Sequence, residues 1–443
     1  MLGFALALAA IFLPPAGEIT RKGNHFELVC HFSNEAAADQ ALVAVEAIWP
    51  QAQKLYDLQE PAEGKLLTVH LYRDAAGYEK AEMGLTKGAF KRNLAFAHHD
   101  SMTAHVALQP PLSDDALKVF GLPTQTLRLL AHEGAHLVRY SHMPNYRSHP
   151  GWLYDGAANW IDEQVCLELG LFARAEKDPK YSTNIVSVQA LVEEGKLPTV
   201  AEILQDQTDK LTWGAKYDVR WMLFRYLQAK NGKSLNKVLV KARQLGGGDG
   251  YTKNLYDEFV DIFGTKKVAK MDKGFHKYVR SLKPEWNEIF RSLQYSNGTW
   301  KQAAFGSNAI AWRTQPVGKE KYSISGSLTI LPAPRNQMNL FLGNSELGFF
   351  SVAFGAGSGV TLFEYLSEGS RWERRGYADC DALKLGEAFD FKVSVNKKTV
   401  IVSVGGEEVI EGQAKYLNLS GPWGLSAQAQ AAGIWKLTKA PKM

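Results

Sequence analysis

Two kinds of hydrophobic pattern divide this chain of 443 residues. Up to about Leu282, apolar residues recur mainly at helical spacing, with a few short strands among the helices. From about Asn297 these patterns give way to short alternating runs such as Thr399 to Val404, separated by turns such as Gly405-Gly406. Because the chain is too long for one compact core, the sequence predicts an α+β protein in which a sheet-containing, mainly helical part is followed by an all-β sandwich.

The predicted boundaries follow from the same patterns. We expect a sheet-containing part over 18–120, a helical part over 121–290 and a sandwich over 297–443. Residues Leu2 to Leu13 form an apolar run that is followed by Pro14-Pro15-Ala16-Gly17. The run is shorter than the roughly 20 residues that span a bilayer. It predicts a signal peptide over 1–17 and a secreted or periplasmic protein without a stable membrane span. A buried N-terminal strand or helix is the alternative.

Charge and cysteine content exclude some functions. The formal net charge is +5, and the basic residues are scattered, which argues against a nucleic acid partner. The three cysteines, Cys30, Cys166 and Cys380, are far apart in the sequence. A disulfide framework is therefore not expected, although one bridge is possible.

The first part of the chain predicts a small mixed sheet. Leu66 to Tyr72 reads as a strand, and the segment from Leu94 to Gln109 reads as a pair of strands. A helical stretch begins near Asn34, and Pro50 is expected to kink or split it. This sheet would precede the helix that carries the strongest chemical motif in the chain.

That motif is His132-Glu133-Gly134-Ala135-His136, an H-E-x-x-H sequence in an amphipathic run that begins at Pro123. Residues four apart share a helix face, so the two imidazoles can reach one metal ion, with Glu133 beside them as a general base. Leu127, Leu130 and Val138 belong to the opposite, apolar stripe. Gly134 costs helix stability and therefore indicates close approach of a neighbouring backbone. The alternative is a solvated histidine pair.

A second helix is expected to start near Pro150, and its Asp155 follows His136 after eighteen intervening residues. Asp155 carries a carboxylate, a group that can bind zinc. Asn159 and Asp162 lie on the same face and could orient a ligand imidazole. Asp155 could instead be a solvated residue or one that touches only the ligands.

With both motifs in place, the chain resembles a gluzincin metallopeptidase of the peptidase MA-like kind. In that family H-E-x-x-H precedes a W-L-x-E-G-x-A segment, and here Trp152-Leu153-Tyr154-Asp155-Gly156-Ala157-Ala158 has Asp in place of Glu. The resemblance implies a thermolysin-like domain, a zinc ion held by His132, His136 and Asp155, and a peptide or protein substrate cleaved by water with Glu133 as general base. It also suggests endopeptidase activity, because no G-x-M-E-N-like stretch is present.

The resemblance also implies a Tyr or His that stabilises the oxyanion. Tyr217 is the candidate, because it opens a long helix downstream of the third-ligand helix. Its spacing to Trp221 and Phe224 also fits plain packing. Two other functions stay open. The first is a scaffold with weak or absent metal that binds carbohydrate or a cell surface, and the second is a metal-dependent hydrolase acting on something other than peptides.

The C-terminal part resembles the concanavalin-like jelly roll of laminin-G-type modules. The resemblance rests on the strand-turn-strand from Phe391 to Ile410 and on the turn Gly421-Pro422-Trp423-Gly424-Leu425. That fold often binds sugars, which makes carbohydrate a possible partner, but fold does not fix function. Trp372, Tyr365 and Trp423 could stack on a sugar ring or fill the sandwich core.

Overall fold

A computed structural model describes residues 17–60, 65–90, 93–109, 112, 114, 117–118, 121–143, 145–170, 182–284, 286–289, 293–296, 299–304, 309–333, 335–355, 357–429 and 431–441. The expected signal peptide lies almost wholly outside these residues. Helices and antiparallel sheets are both present, so the α+β prediction is confirmed.

The first sheet is mixed, as predicted. It consists of β1 (Ile19–Lys22), β2 (Phe26–Cys30), β3 (Leu67–Tyr72), β4 (Ala95–His98) and β5 (Thr103–Ala107), in the order β1-β2-β3-β5-β4. Strands β2, β3 and β5 are parallel, whereas β1 and β4 run antiparallel to their neighbours. Strand β4 is therefore an edge strand.

Eleven named helices occur in the described part of the chain. They are α1 (Glu35–Glu46), α2 (Ile48–Tyr56), α3 (Ala75–Thr86), α4 (Thr124–His142), α5 (Gly151–Glu168), α6 (Ser182–Glu193), α7 (Val200–Leu204), α8 (Trp213–Gln244), α9 (Tyr251–Phe263), α10 (Thr265–Val268) and α11 (Met271–Ser281). The break between α1 and α2 puts Pro50 in the first turn of α2, where its missing N–H costs no hydrogen bond.

Helix α4 lies on the sheet through the predicted apolar stripe. Leu127, Leu130 and Val138 are fully buried in the core that helices and sheet share. The expectation for Gly134 was half right. A close approach is present, but the group that fills the space of a Cβ is the Ile48 side chain of α2 rather than a backbone.

The C-terminal part is a β-sandwich, as predicted, but it starts earlier than residue 297. Strands β6 (Trp286–Ile289) and β7 (Leu293–Ser296) already pair within its two sheets. Each of these strands has only four residues, so the alternation of apolar and polar residues is too short to be recognised in the sequence.

The two sheets of the sandwich each have seven strands, in the orders β17-β16-β15-β10-β19-β8-β7 and β14-β13-β12-β11-β18-β9-β6. The remaining strands are β8 (Thr299–Ala303), β9 (Ala309–Arg313), β10 (Lys321–Ile330), β11 (Gln337–Ser345), β12 (Gly348–Gly355), β13 (Gly359–Leu366), β14 (Arg371–Ala378), β15 (Ala388–Asn396), β16 (Thr399–Val404), β17 (Glu407–Gln413), β18 (Gly424–Ala427) and β19 (Ala432–Lys439). Inward side chains of both sheets form a second hydrophobic core.

Two smaller expectations concern cysteines and membranes. Cys30, Cys166 and Cys380 are all free thiols, so the one possible bridge does not form. Within the described ranges, no helix has both the length and the apolar character required to cross a membrane.

Candidate metal centre

Helix α4 brings the two motif histidines together. His132 and His136 are one turn apart and both buried, and their Nε2 atoms lie 3.1 Å from each other. Two nitrogens bound tetrahedrally at about 2.0–2.1 Å from a zinc ion would be ~3.3 Å apart. The pair is therefore already spaced as two ligands of one metal.

Helix α5 supplies the third candidate ligand. It begins directly after Pro150, and Asp155 lies in its second turn, 6% exposed. One ligand atom from each of His132, His136 and Asp155 lies within 4.8 Å of the other two. The Asp155 side chain, although shorter than that of a glutamate, thus places a carboxylate oxygen in the same cluster as both imidazoles.

His132 has the outer partner that is usual for a metal-binding imidazole. The Asp162 Oδ2 atom lies 3.6 Å from its Nδ1, on the side of the ring away from His136. Arg128 contributes a guanidinium 3.7 Å from the same carboxylate oxygen. Burial lowers the pKa of His132, but the hydrogen bond with Asp162 and the nearby carboxylates outweigh it and raise this pKa overall. The predicted orienting role for Asp162 matches this geometry, whereas Asn159 is one of the residues that line the neighbouring cleft.

His136 has the opposite kind of partner. The Arg139 guanidinium donates from Nη2 to His136 Nδ1 over 3.0 Å, and its Nη1 donates to the carbonyl oxygen of Tyr154. Arg139 is 1% exposed. Because Nδ1 accepts a hydrogen bond, the proton of the neutral His136 ring lies on Nε2. Burial, Arg139 and His132 together hold the pKa of His136 well below its usual value.

Asp155 is held from helix α8. Arg220 donates from Nη1 to Asp155 Oδ2 over 3.0 Å, and the Tyr217 hydroxyl also donates to this carboxylate. Burial raises the pKa of Asp155, and His132, Arg220, Arg139 and Tyr217 only partly offset that effect. Burial, with the charges of Asp155 and Glu133, raises the pKa of Tyr217 above its ordinary value, so its hydroxyl stays a donor.

Glu133 lies between α4 and the edge strand β4. Its carboxylate accepts a hydrogen bond from the backbone N–H of Ala97. Burial raises the pKa of Glu133 to about 7, against the lowering effect of His132 and with help from Asp155. A carboxylate with a pKa near neutrality is suited to accept and return a proton.

A cleft with a volume of about 260 Å³ opens beside these residues. His132, Glu133 and Tyr217 all border it, together with Leu94 and Ala95, where strand β4 begins. The Tyr217 ring stacks on the exposed Trp213 with 4.2 Å between ring centroids. Tyr217 therefore lies at the cleft, whereas its sequence neighbours Trp221 and Phe224 are buried in the core.

The types and the spacing of the three ligand side chains fit a zinc ion. Two imidazole nitrogens and one carboxylate oxygen are one of the ligand sets found in catalytic zinc sites, which keep a further position for water. The contact between Asp162 and Nδ1 of His132 leaves Nε2 of the same ring with a lone pair that can bind a metal. His136 departs from this pattern, because a metal at its Nε2 would have to displace the proton that the Arg139 contact places there.

Sequence reasoning missed the arginines around the ligands. Arg128 and Arg139 lie four residues before His132 and three after His136, so helical spacing alone could have placed them beside the motif. Arg220 lies three residues after Tyr217, but its contact with Asp155 joins two helices that are far apart in sequence. No local sequence pattern predicts that contact.

The three aromatic residues singled out in the sandwich divide into two groups. Trp423 is buried in the sandwich core, which is the packing alternative. Trp372 is 50% exposed, and its ring centroid lies 4.9 Å from that of Tyr365 on the neighbouring strand. Phe349 continues this row with 4.9 Å to Tyr365. Phe349, Tyr365 and Trp372 are not part of the buried core.

No protein-family model and no curated protein matches the chain. Similar solved structures include the carbohydrate-binding module CBM66 from Bacillus subtilis, at 10% identity, with 34% of this chain and 92% of that chain covered and a TM-score of 0.30. Sheep galectin-11 in complex with glycerol has 14% identity, coverage of 31% and 97%, and a TM-score of 0.24. The VIP36 exoplasmic/lumenal domain with Ca2+ and Man2 has 10% identity, coverage of 37% and 85%, and a TM-score of 0.28. These likenesses are too distant to bear on function.

Proposed function

We propose that this protein is a zinc-dependent metallopeptidase. The observation that carries the proposal is the convergence of His132, His136 and Asp155 within 4.8 Å of one another, with Glu133 and Tyr217 bordering the cleft that His132 also lines. Ligands, base and hydroxyl donor come from α4, α5 and α8, as expected for a thermolysin-like peptidase domain.

Each of these residues has a role in the proposed hydrolysis. Bound zinc would supply Lewis-acid activation of a water molecule and of the scissile carbonyl. Glu133 would take the proton from the attacking water and deliver it to the leaving amine, a task for which its raised pKa is suited. Tyr217 would turn its hydroxyl from Asp155 toward the carbonyl oxygen as negative charge develops there.

The edge strand β4 supports a peptide as the substrate. Among the described residues no strand pairs with its outer side, and its first residue, Ala95, lines the cleft together with Glu133. An extended peptide can add to such an edge through main-chain hydrogen bonds, which do not depend on the peptide's sequence. This mode of binding does not require a free chain end, so the proposal is an endopeptidase.

A peptide library digested by the purified full-length protein tests the proposal. Mass spectrometry would identify internal cleavages, and we expect them to disappear when a chelator removes the metal and to return with added zinc. A Glu133→Ala variant should retain zinc and cleave nothing. If no peptide is cut even with zinc supplied, the peptidase proposal is wrong, and the alternatives are a non-catalytic scaffold or a hydrolase for another substrate.

Carbohydrate binding by the sandwich is a second candidate function. The row of Phe349, Tyr365 and Trp372, hereafter the aromatic row, supports it. These residues lie opposite one another on β12, β13 and β14, and the exposed Trp372 ends the row. Aromatic rings offer a surface on which the apolar face of a sugar can stack.

Affinity electrophoresis of the full-length protein in gels that contain single polysaccharides tests this candidate. We expect retardation by at least one polysaccharide and its loss in Trp372→Ala. The matched control is Leu347→Ala, which removes another exposed apolar side chain of the sandwich. Equal migration of the wild type and Trp372→Ala in every gel would remove the aromatic row as a sugar site.

A further inference from the structure

Arg220 links the third candidate ligand to a second carboxylate. Its Nη1 lies 3.0 Å from Asp155 Oδ2, and its Nη2 lies 2.8 Å from Asp206 Oδ1. Asp206 follows helix α7 in a left-handed backbone conformation, with φ of 60°, which aspartate tolerates better than most residues. The guanidinium therefore has two anionic partners, one from α5 and one from the turn after α7.

Two glycines of α5 make this arrangement possible. A Cβ on Gly151 would overlap the Arg220 guanidinium, and a Cβ on Gly156 would lie 2.7 Å from the Arg220 carbonyl oxygen. Helices α5 and α8 thus approach more closely at these positions than side chains would allow. The close approach brings the start of α5, which carries Asp155, against the face of α8 that carries Arg220.

We propose that Arg220 is a positioning residue for the metal centre, and that it and the glycine contact between α5 and α8 form a socket that requires Asp rather than Glu at position 155. The inference rests on the proposed zinc site and says how that site selects its third ligand. The Asp155 carboxylate can offer one oxygen to Arg220 and the other to a metal.

The length of the side chain decides which carboxylate fits. Asp155 already contacts Arg220 at 3.0 Å and lies within 4.8 Å of both ligand nitrogens. An added methylene would move the carboxylate by about the length of a carbon–carbon bond. Because the backbones of α5 and α8 are in contact at Gly156, the space between the two helices is too small to accommodate that shift.

The positive charge of Arg220 would by itself weaken metal binding, because a cation beside the site repels a metal ion. A positioning role and a repelling role predict opposite results on removal of the guanidinium. Lysine separates them further, since it keeps the charge but is a point donor that cannot bridge two carboxylates with a planar fork.

Zinc affinity, measured on the full-length protein by competition with a chromophoric chelator, tests the proposal. We expect Asp155→Glu, Arg220→Gln and Arg220→Lys each to weaken zinc binding about 10-fold to 100-fold, the usual range for residues that orient metal ligands. The matched control is Arg243→Gln, which lies in α8 beyond the non-helical residue Asn231 and whose guanidinium donates to backbone carbonyls of Tyr56 and Asp57. Its affinity should equal that of the wild type.

Cobalt substitution adds a readout that loss of stability alone does not change. The visible d–d bands report ligand number and geometry, so they should differ from the wild type in Arg220→Lys and stay unchanged in Arg243→Gln. Thermal unfolding of the metal-free variants shows whether each is folded. If Asp155→Glu does not fold, the zinc affinity and the cobalt spectrum of Arg220→Lys test the proposal in its place.

Zinc binding by Asp155→Glu as tight as in the wild type, or tighter binding by Arg220→Gln, would overturn the proposal. A wild type without zinc affinity would overturn it together with the metal centre. Because the readout is metal binding, a wild type that binds zinc but cleaves no peptide would refute only the peptidase function.

Discussion

Two buried glutamates, Glu133 in the helical part and Glu364 in the sandwich, have pKa values shifted in opposite directions. Glu364 accepts hydrogen bonds from the backbone N–H groups of Tyr416, Lys415 and Leu417 at 2.8–3.0 Å and from Arg375. Burial would raise its pKa, but these donors lower it overall. Burial dominates at Glu133, whose pKa rises to about 7.

The difference shows what each part of the molecule does with buried charge. In the sandwich, the charge of Glu364 is fully hydrogen-bonded and ties the segment after β17 to the sheet. In the helical part, several charges converge on one cleft, and Glu133 keeps acceptor capacity there. A carboxylate that is costly to ionise and open to a cleft is a candidate for chemistry, whereas a saturated one is a structural element.

The largest expected effect separates the two glutamates by activity. Glu133→Gln should lower kcat for peptide cleavage by about 10²-fold to 10⁴-fold, the usual contribution of a general base, with zinc content unchanged. The control is Glu364→Gln, assayed at a temperature where it is folded, which should cleave at the wild-type rate. An equal loss in both variants would mean that the comparison does not reflect catalysis.

Stability should be affected in the reverse order, with a larger loss in Glu364→Gln than in Glu133→Gln. Glu364→Gln leaves the half-buried Arg375 and three backbone N–H donors without a charged acceptor, so the free energy of unfolding should fall by about 3–5 kcal/mol. The midpoint of urea unfolding, followed by circular dichroism, measures this loss. A change below about 1 kcal/mol would contradict the structural role assigned to Glu364.

The pH dependence of stability should differ in sign between the two sites. In chelator-treated protein, unfolding lets Glu133 return to a pKa of about 4.3. The folded pKa is higher, so ionisation favours the unfolded state as pH rises from about 4.3 through about 7. Glu133→Gln should therefore be more stable than the wild type by about 1–3 kcal/mol at pH 8, and the gain should shrink toward pH 4.

Glu364 should behave oppositely, because its folded pKa is lowered. Its contribution is fully present above the unfolded pKa of about 4.3 and is lost as pH falls through the folded value. The stability difference between the wild type and Glu364→Gln should therefore narrow only in acid. Urea titrations between pH 3 and pH 8 would reveal either trend, and the same trend at both sites would break the comparison.

The smallest effect is expected at the sandwich surface. Trp372→Ala should change the free energy of unfolding by less than about 0.5 kcal/mol, as is usual for exposed positions. Thermal unfolding of the full-length protein measures it. A loss of several kcal/mol would show that the aromatic row belongs to the fold and is not a free surface.

Sequence alone reached those parts of the site that depend on local geometry. The i, i+4 spacing places His132 and His136 on one face, and the start signal at Pro150 put Asp155 on the following helix. Their convergence within one cluster matches this reasoning. The boundary of the sandwich was placed too late because the four-residue strands β6 and β7 carry too little alternation.

The parts that sequence could not reach depend on distant segments. The bridge from Asp155 through Arg220 to Asp206 joins three elements, and its closeness depends on glycines that look unremarkable in a helical pattern. Glu364 is similar, since its donors come from a turn about fifty residues later in the chain. Such contacts are fixed by tertiary packing rather than by periodicity.

Anomalous diffraction at the zinc absorption edge, from crystals of the full-length protein grown with zinc, tests the central claim most directly. We predict one strong peak per chain, within bonding distance of the Nε2 atoms of His132 and His136 and of a carboxylate oxygen of Asp155. A cluster without a peak, or a peak bound only elsewhere in the chain, would contradict the claim that these three residues form a metal centre.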